Sequence, residues 1–124
     1  MSQDIVSDAL NQIMNAKKAG HTFVEVKKNS KFLMDVLAIG KLKGYIKEYK
    51  LEENVLKIIF GKLNVCKAVK PRYVVKAKTI EKYVRRYLPA RDMGSLIIST
   101  SKGLMTHQTA IEKNIGGSVI AYFY

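Results

Sequence analysis

The stretch "SLIISTSKGLMTHQTA", Ser95 to Ala110, decides how the second half of this chain is read. Leu96, Ile97 and Ile98 form an apolar run that fits a buried strand over Ser95 to Ser99. Five hydroxyl side chains follow (Ser99, Thr100, Ser101, Thr106 and Thr109), with one lysine, one histidine and no carboxylate. The pattern predicts a strand, then a polar loop around Gly103, then a helix from near Thr106 that closes before Gly116-Gly117. Ser118 to Tyr124 is apolar enough to be a central strand. Upstream, Pro89 ends a short helix whose apolar stripe is Ile80, Tyr83, Val84, Tyr87 and Leu88. Thr79 is its expected cap, and Lys82, Arg85 and Arg86 project from its other side. Lys70-Pro71-Arg72-Tyr73 reads as extended, because proline steers its predecessor away from helix.

The first half follows a different rhythm. Ile5, Val6, Ala9, Leu10, Ile13 and Met14 recur at helical spacing, with Asp4 and Asp8 early and Lys17 and Lys18 late, the charge order the helix dipole favours. Gly20 stops this helix. Thr22 to Val26 is a short strand, and Ser30 caps a second helix burying Leu33, Val36 and Leu37 that ends before Gly44. Tyr45 to Leu51 and Val55 to Leu63 form a hairpin around Glu52-Glu53-Asn54. The expected fold is α+β: an αβαββ subdomain over residues 1–63 packed against a mainly antiparallel β subdomain with short helices over residues 64–124. No flexible linker, internal repeat or low-complexity segment separates them.

Charge narrows the function. The 124 residues carry a net charge of +12, and the distribution is uneven. Residues 1–60 hold ten lysines against seven acids, residues 61–91 hold ten cations against Glu81 alone, and residues 92–124 are neutral. A segment of +9 within a chain of pI near 9.8 is the electrostatic footprint of a nucleic-acid binder. No apolar run approaches the roughly 18 residues of a membrane span. The opening Met-Ser-Gln-Asp is acidic, unlike a secretory signal or an Arg-rich transit peptide. A single cysteine, Cys66, excludes an internal disulfide framework and a multi-cysteine zinc site. A reducing, cytoplasmic setting is expected.

Three chemistries compete for the hydroxyl-rich stretch. Ser99-Thr100-Ser101-Lys102 satisfies the loose S-x-x-K pattern of penicillin-recognising enzymes, but Lys-Thr-Gly and Ser-Asp-Asn are absent and Ser99 closes a strand where that nucleophile opens a helix. His107 has no local carboxylate to orient it as a base. Two distant histidines and one cysteine make no metal site, so neither metal nor cofactor is expected, nor a small-molecule substrate. RNA recognition fits best. Hydroxyls both donate and accept hydrogen bonds and so suit 2′-OH groups and base edges, while Gly103 lets backbone approach closely. On this division of labour the basic segment attracts and the neutral loop supplies fit. Capping is favoured over contact for Thr106, and contact over turn-making for Ser99 and Ser101.

The residues also carry a resemblance. "IISTSKGLMTHQTAIEKNIGGSVIAYFY" resembles the C-terminal signature of the small-subunit ribosomal protein numbered eight, with Ser-Thr-Ser-x-Gly, Met105, Thr106-His107, Ala110 and Gly116-Gly117 where that pattern has them. "DALNQIMNAKKAG", residues 8–20, is similar to the family's first helix. "CKAVKPRY", "RRYLPARDMG" and His107 resemble the archaeal and eukaryotic branch. Ser118 and Tyr124 depart from the commoner Glu or Arg and Trp. The resemblance implies a non-catalytic protein of the small ribosomal subunit that binds a short irregular helix in the central domain of small-subunit rRNA and helps organise it during assembly. By position, Ser99, Thr100, Ser101, Lys102 and Gly103 would form the main recognition loop, with Thr106 and His107 beside it. Lys70, Arg72 and Tyr73 would grip backbone, and Asn15, Lys17 and Lys31 would make secondary contacts. For Lys17 and Lys31 a solvated helix-end charge is an equal reading. Neighbouring small-subunit ribosomal proteins are implied partners. Some relatives also repress their own mRNA through a mimic of the rRNA site, which makes such regulation the alternative function.

Overall fold

The structure, a computed structural model, describes residues 5–89 and 93–124, without the side chains of residues 70–73. The chain divides into two compact units, 1–67 and 68–124.

The first unit runs α1 (Ile5–Lys18), β1 (Phe23–Val26), α2 (Lys31–Leu42), β2 (Ile46–Glu52) and β3 (Val55–Phe60). Its three strands form an antiparallel sheet in the order β1-β3-β2. Val6, Ala9, Leu10 and Ile13 of α1 and Leu33, Val36 and Leu37 of α2 are buried, as are Val26, Ile46, Leu56 and Ile58 of the strands. The i, i+3, i+4, i+7 spacing of α1 puts its apolar residues on one stripe. Its C-terminus closes through Gly20, whose N–H donates to the Lys17 carbonyl while the His21 N–H donates to that of Ala16. Ser30 caps α2, its hydroxyl accepting from the Leu33 N–H at 3.1 Å. The β2–β3 turn is tighter than the sequence reading. Glu52 pairs with Val55, and only Glu53 and Asn54 turn the chain, with φ of 49° and 66°. That is the primed geometry a two-residue hairpin needs, reached without glycine.

The division between units falls within β4 (Cys66–Val75). Cys66 is held by the first unit: its N–H reaches the Met14 Sδ and its thiol the Leu10 carbonyl, at 3.3 and 3.7 Å. A 3-10 turn (Ala77–Thr79) and α3 (Ile80–Tyr87) follow, then β5 (Ser95–Thr100), β6 (Gly103–Thr106), α4 (His107–Glu112) and β7 (Gly117–Phe123). These four strands form the second sheet, ordered β4-β7-β5-β6, so β7 is central as its apolar composition predicts. Val75, Ile80, Val84, Leu88, Leu96, Ile98, Met105, Ala110 and Val119 share the core.

Two local expectations change. Thr79 does not cap α3; its hydroxyl donates to the Lys76 carbonyl and accepts from the Lys76 N–H, closing the preceding 3-10 turn. The polar loop after β5 is largely strand: Gly103 to Thr106 pair with β5 down to Ile97. A four-residue edge strand that begins on glycine and ends on threonine is too short for alternation to reveal it. The chain as a whole is α+β, with antiparallel pairings and short helices, as read from the sequence.

Candidate nucleic-acid interface

The β5–β6 hairpin is the centre of the site. Only Ser101 and Lys102 lie between the paired residues Thr100 and Gly103. Neither has a positive φ, whereas Gly103 has φ of 104°, the arrangement in which a type I turn is followed by a glycine bulge. Thr100 holds the turn from inside. Its hydroxyl donates to the Gly103 carbonyl at 2.8 Å and accepts from the Lys102 N–H at 3.1 Å. Ser101, Lys102 and Gly103 are exposed, and nothing lies within 4 Å of where a Cβ on Gly103 would stand. Ser99 is half-buried, opposite Leu104 of β6 and Ser118 of β7. A Cβ on Gly117 would run into the Ser99 carbonyl oxygen, so glycine there lets β7 approach the root of the hairpin.

Thr106 and His107 stand behind the hairpin, not on its surface, each 4% exposed. For Thr106 the capping reading that the sequence favours holds, and His107, placed beside the recognition loop by resemblance, stands behind it in a supporting position. Thr106 ends β6 and caps α4, accepting from the Thr109 N–H at 3.4 Å. His107 Nδ1 accepts the Leu96 N–H at 3.1 Å. Pairing of β5 with β6 stops at Ile97, so the imidazole supplies the acceptor that the next residue of a longer β6 would have offered. An imidazole whose Nδ1 lone pair serves a buried backbone N–H is a structural histidine. This removes the local base that hydrolytic chemistry at Ser99 or Ser101 would need.

The other predicted residues are spread over both units. Lys70, Arg72 and Tyr73 lie in β4, with side chains outside the described residues. Asn15 is exposed and Lys17 half-buried near the end of α1, and Lys31 is exposed as the first residue of α2. Lys76, Lys78, Lys82, Arg85 and Arg86 are all exposed between the end of β4 and the end of α3. Burial pushes the Cys66 thiol up to about 12, so it is no nucleophile near neutrality. Among the described residues no group of His, Cys, Asp and Glu could hold a metal ion, and no helix is long and apolar enough to cross a membrane.

Sequence reasoning missed one cluster. The Tyr122 ring stacks on Tyr87 at 5.4 Å between centroids and on Tyr124 at 6.2 Å, and the Arg86 guanidinium lies 5.6 Å from the Tyr87 ring centre. Tyr87 sits in the helical stripe and Tyr122 and Tyr124 at strand spacing, but nothing local says that the two meet.

Fold and site together define a small basic α+β protein with an exposed, glycine-tipped hydroxyl hairpin. The chain matches the family described as ribosomal protein S8 over residues 4–124. It is also 40% identical over 129 aligned positions to the small ribosomal subunit protein uS8my of Arabidopsis thaliana, the alignment covering 100% of both chains. The chain belongs to the ribosomal protein S8 family. Such a protein is a structural part of the ribosome and not an enzyme.

Proposed function

We propose that this protein is a constituent of the small ribosomal subunit that binds an irregular helix in the central domain of small-subunit rRNA and helps organise that domain during assembly. The observation that carries the reading is the hairpin tip. Ser101, Lys102 and the open backbone of Gly103 project beyond the sheet on a turn that Thr100 locks internally. An internally bonded tip that offers a hydroxyl, open backbone and a single cation suits the shallow, hydroxyl-lined minor groove and irregular base edges of folded RNA. Ser99 completes the hydroxyl row, and Thr106 and His107 fix its base. Lys70, Arg72 and Tyr73 along β4 supply backbone attraction and stacking, and Asn15, Lys17 and Lys31 add contacts from the first unit. Neighbouring ribosomal proteins share the particle. The cytoplasmic assignment rests on a sequence with a single cysteine, which is free and buried.

The test is affinity for a short central-domain helix against a scrambled duplex of equal length at about 0.2 M salt, where the electrostatic term is weakened. A preference of about a hundredfold or more supports specific rRNA recognition. Equal, weak binding to both rejects it. A messenger RNA helix bound as tightly as the rRNA helix would move the reading toward regulation.

A further inference from the structure

We propose that the helix-free face of the first unit's sheet docks a basic segment of a neighbouring protein in the particle, with Glu25 and Glu48 receiving its cationic side chains beside the apolar pair Phe23 and Ile59. The proposal rests on the reading of this chain as a small-subunit constituent and adds a protein contact to its RNA contacts.

The strand register fixes what this face carries. Residues opposite one another in an antiparallel pair share a face. Phe23, Ile59 and Glu48 therefore form one row, Glu25, Lys57 and Lys50 the next, and Val55 and Glu52 the third. The alternate rows belong to the other side. Their Val26, Leu56 and Ile58 are buried where α1 packs on β1 and α2 on β2. The irregularity in β2 falls between Ile46 and Glu48, before the first row, so alternation from Glu48 to Glu52 is undisturbed. Side-chain contacts agree with the register. The Lys57 Nζ lies 4.7 Å from the Phe23 ring centre, and the Lys50 Nζ pairs with the Glu52 carboxylate at 2.7 Å. Glu52 chiefly, and Glu48 as well, raise the Lys50 pKa, while Lys50 chiefly, and Lys57 as well, lower that of Glu52. All four charges thus stand on one side of the sheet.

The balance of charge selects the partner. In a chain of net charge +12 with ten acids, this face holds three carboxylates against two lysines. Both lysines are engaged, Lys50 by Glu52 and Lys57 by the Phe23 ring. Glu25 and Glu48 are exposed and have no ion pair among the described residues. RNA laid here would set phosphates against two such carboxylates, whereas a basic protein segment would pair with both. Phe23 is 43% exposed, and Ile59 and Val55 are half-buried beside it. An apolar centre rimmed by charge is the pattern of a protein contact, and an aromatic face also suits an incoming guanidinium. None of these residues is among those assigned to RNA, so the face stays free when the hairpin is occupied.

The first test places the photoreactive analogue p-benzoylphenylalanine at position 23 of the full chain, purifies small subunits that contain it, irradiates them and maps the crosslinks by peptide mass. A crosslink to a lysine- or arginine-rich segment of another protein is expected. Crosslinks only to RNA, to a second copy of this chain or to an acidic segment, or none at all, overturn the proposal. The second test expresses the parent together with the tagged double variant Glu25→Lys, Glu48→Lys and measures the share of each in mature small subunits. The variant's share should fall at least about threefold, because like charges now face the partner. Its affinity for the rRNA helix should not fall, and its melting temperature should match the parent's, since both positions are exposed. The milder Glu25→Gln, Glu48→Gln variant should lie between the two. Equal shares for all three chains would refute the contact. A chain missing from small subunits defeats the parent reading and this proposal with it, whereas a chain present there with none of these effects defeats this proposal alone.

Discussion

Ser101 and His107 lie six residues apart and do opposite jobs. Ser101 is exposed at the hairpin tip, so its hydroxyl is open to a ligand. Ser101→Ala should cost about 1–2 kcal/mol of specific RNA binding and leave the melting temperature unchanged, measured by titration and by thermal unfolding. His107 is buried with its ring nitrogen on the Leu96 N–H. His107→Ala strands that donor inside the protein, so stability should fall by about 1–3 kcal/mol in a urea titration. Cys66 gives a third check. Burial raises its thiol from 9.0 to about 12. Native protein at pH 8 should therefore react with iodoacetamide at least about tenfold more slowly than protein in urea. The same shift has a direction in pH. The unfolded thiol ionises first, so this contribution to stability is whole below pH 9 and is lost as pH rises toward 12. The place of His107 in the first turn of α4 was legible in the sequence, but neither its burial nor its partner was: its ring nitrogen accepts from the Leu96 N–H of a strand the sequence does not show beside it.

Among the elements, those with full periodicity or a strong cap were legible, and those decided by pairing were not. Helix α1 shows its stripe over four turns, and α2 has Ser30 in front and Leu33, Val36 and Leu37 behind it, so both were placed within a few residues. Strand β6 was missed because its four residues are held by pairing with β5 and not by any preference of their own. The bulge in β7, where the β5–β7 register slips between Ile97 and Ile98, is likewise a property of two strands and left no mark in one. Strand β4 is the element whose chemistry is most open to test. If Lys70 and Arg72 each meet a phosphate, Lys70→Ala and Arg72→Ala should each lower the slope of log affinity against log salt by about one, with the preference for the rRNA helix retained. An unaltered slope would assign those contacts to other cations.

At the scale of the whole molecule, a net charge of +12 with three quarters of it in residues 61–91 sets how binding responds to salt. Raising salt from about 50 to 200 mM should lower affinity for any RNA steeply, while the ratio between the rRNA helix and a scrambled duplex should hold or grow, because only the phosphate term is screened. A ratio that collapses with the affinity would mean that charge supplies the specificity. The sequence by itself determined the fold class, the αβαββ order of the first unit, the central place of the last strand and the family. Each of these follows from apolar spacing, caps and charge, which act between residues close in the chain. Only the tertiary structure decided that Thr106 and His107 face inward, that the hydroxyl stretch is a locked hairpin, and that Tyr87 meets Tyr122. Those outcomes depend on which backbone groups find partners across strands and on where a bulge shifts the register. Such contacts join residues distant in sequence, and composition and period do not record them.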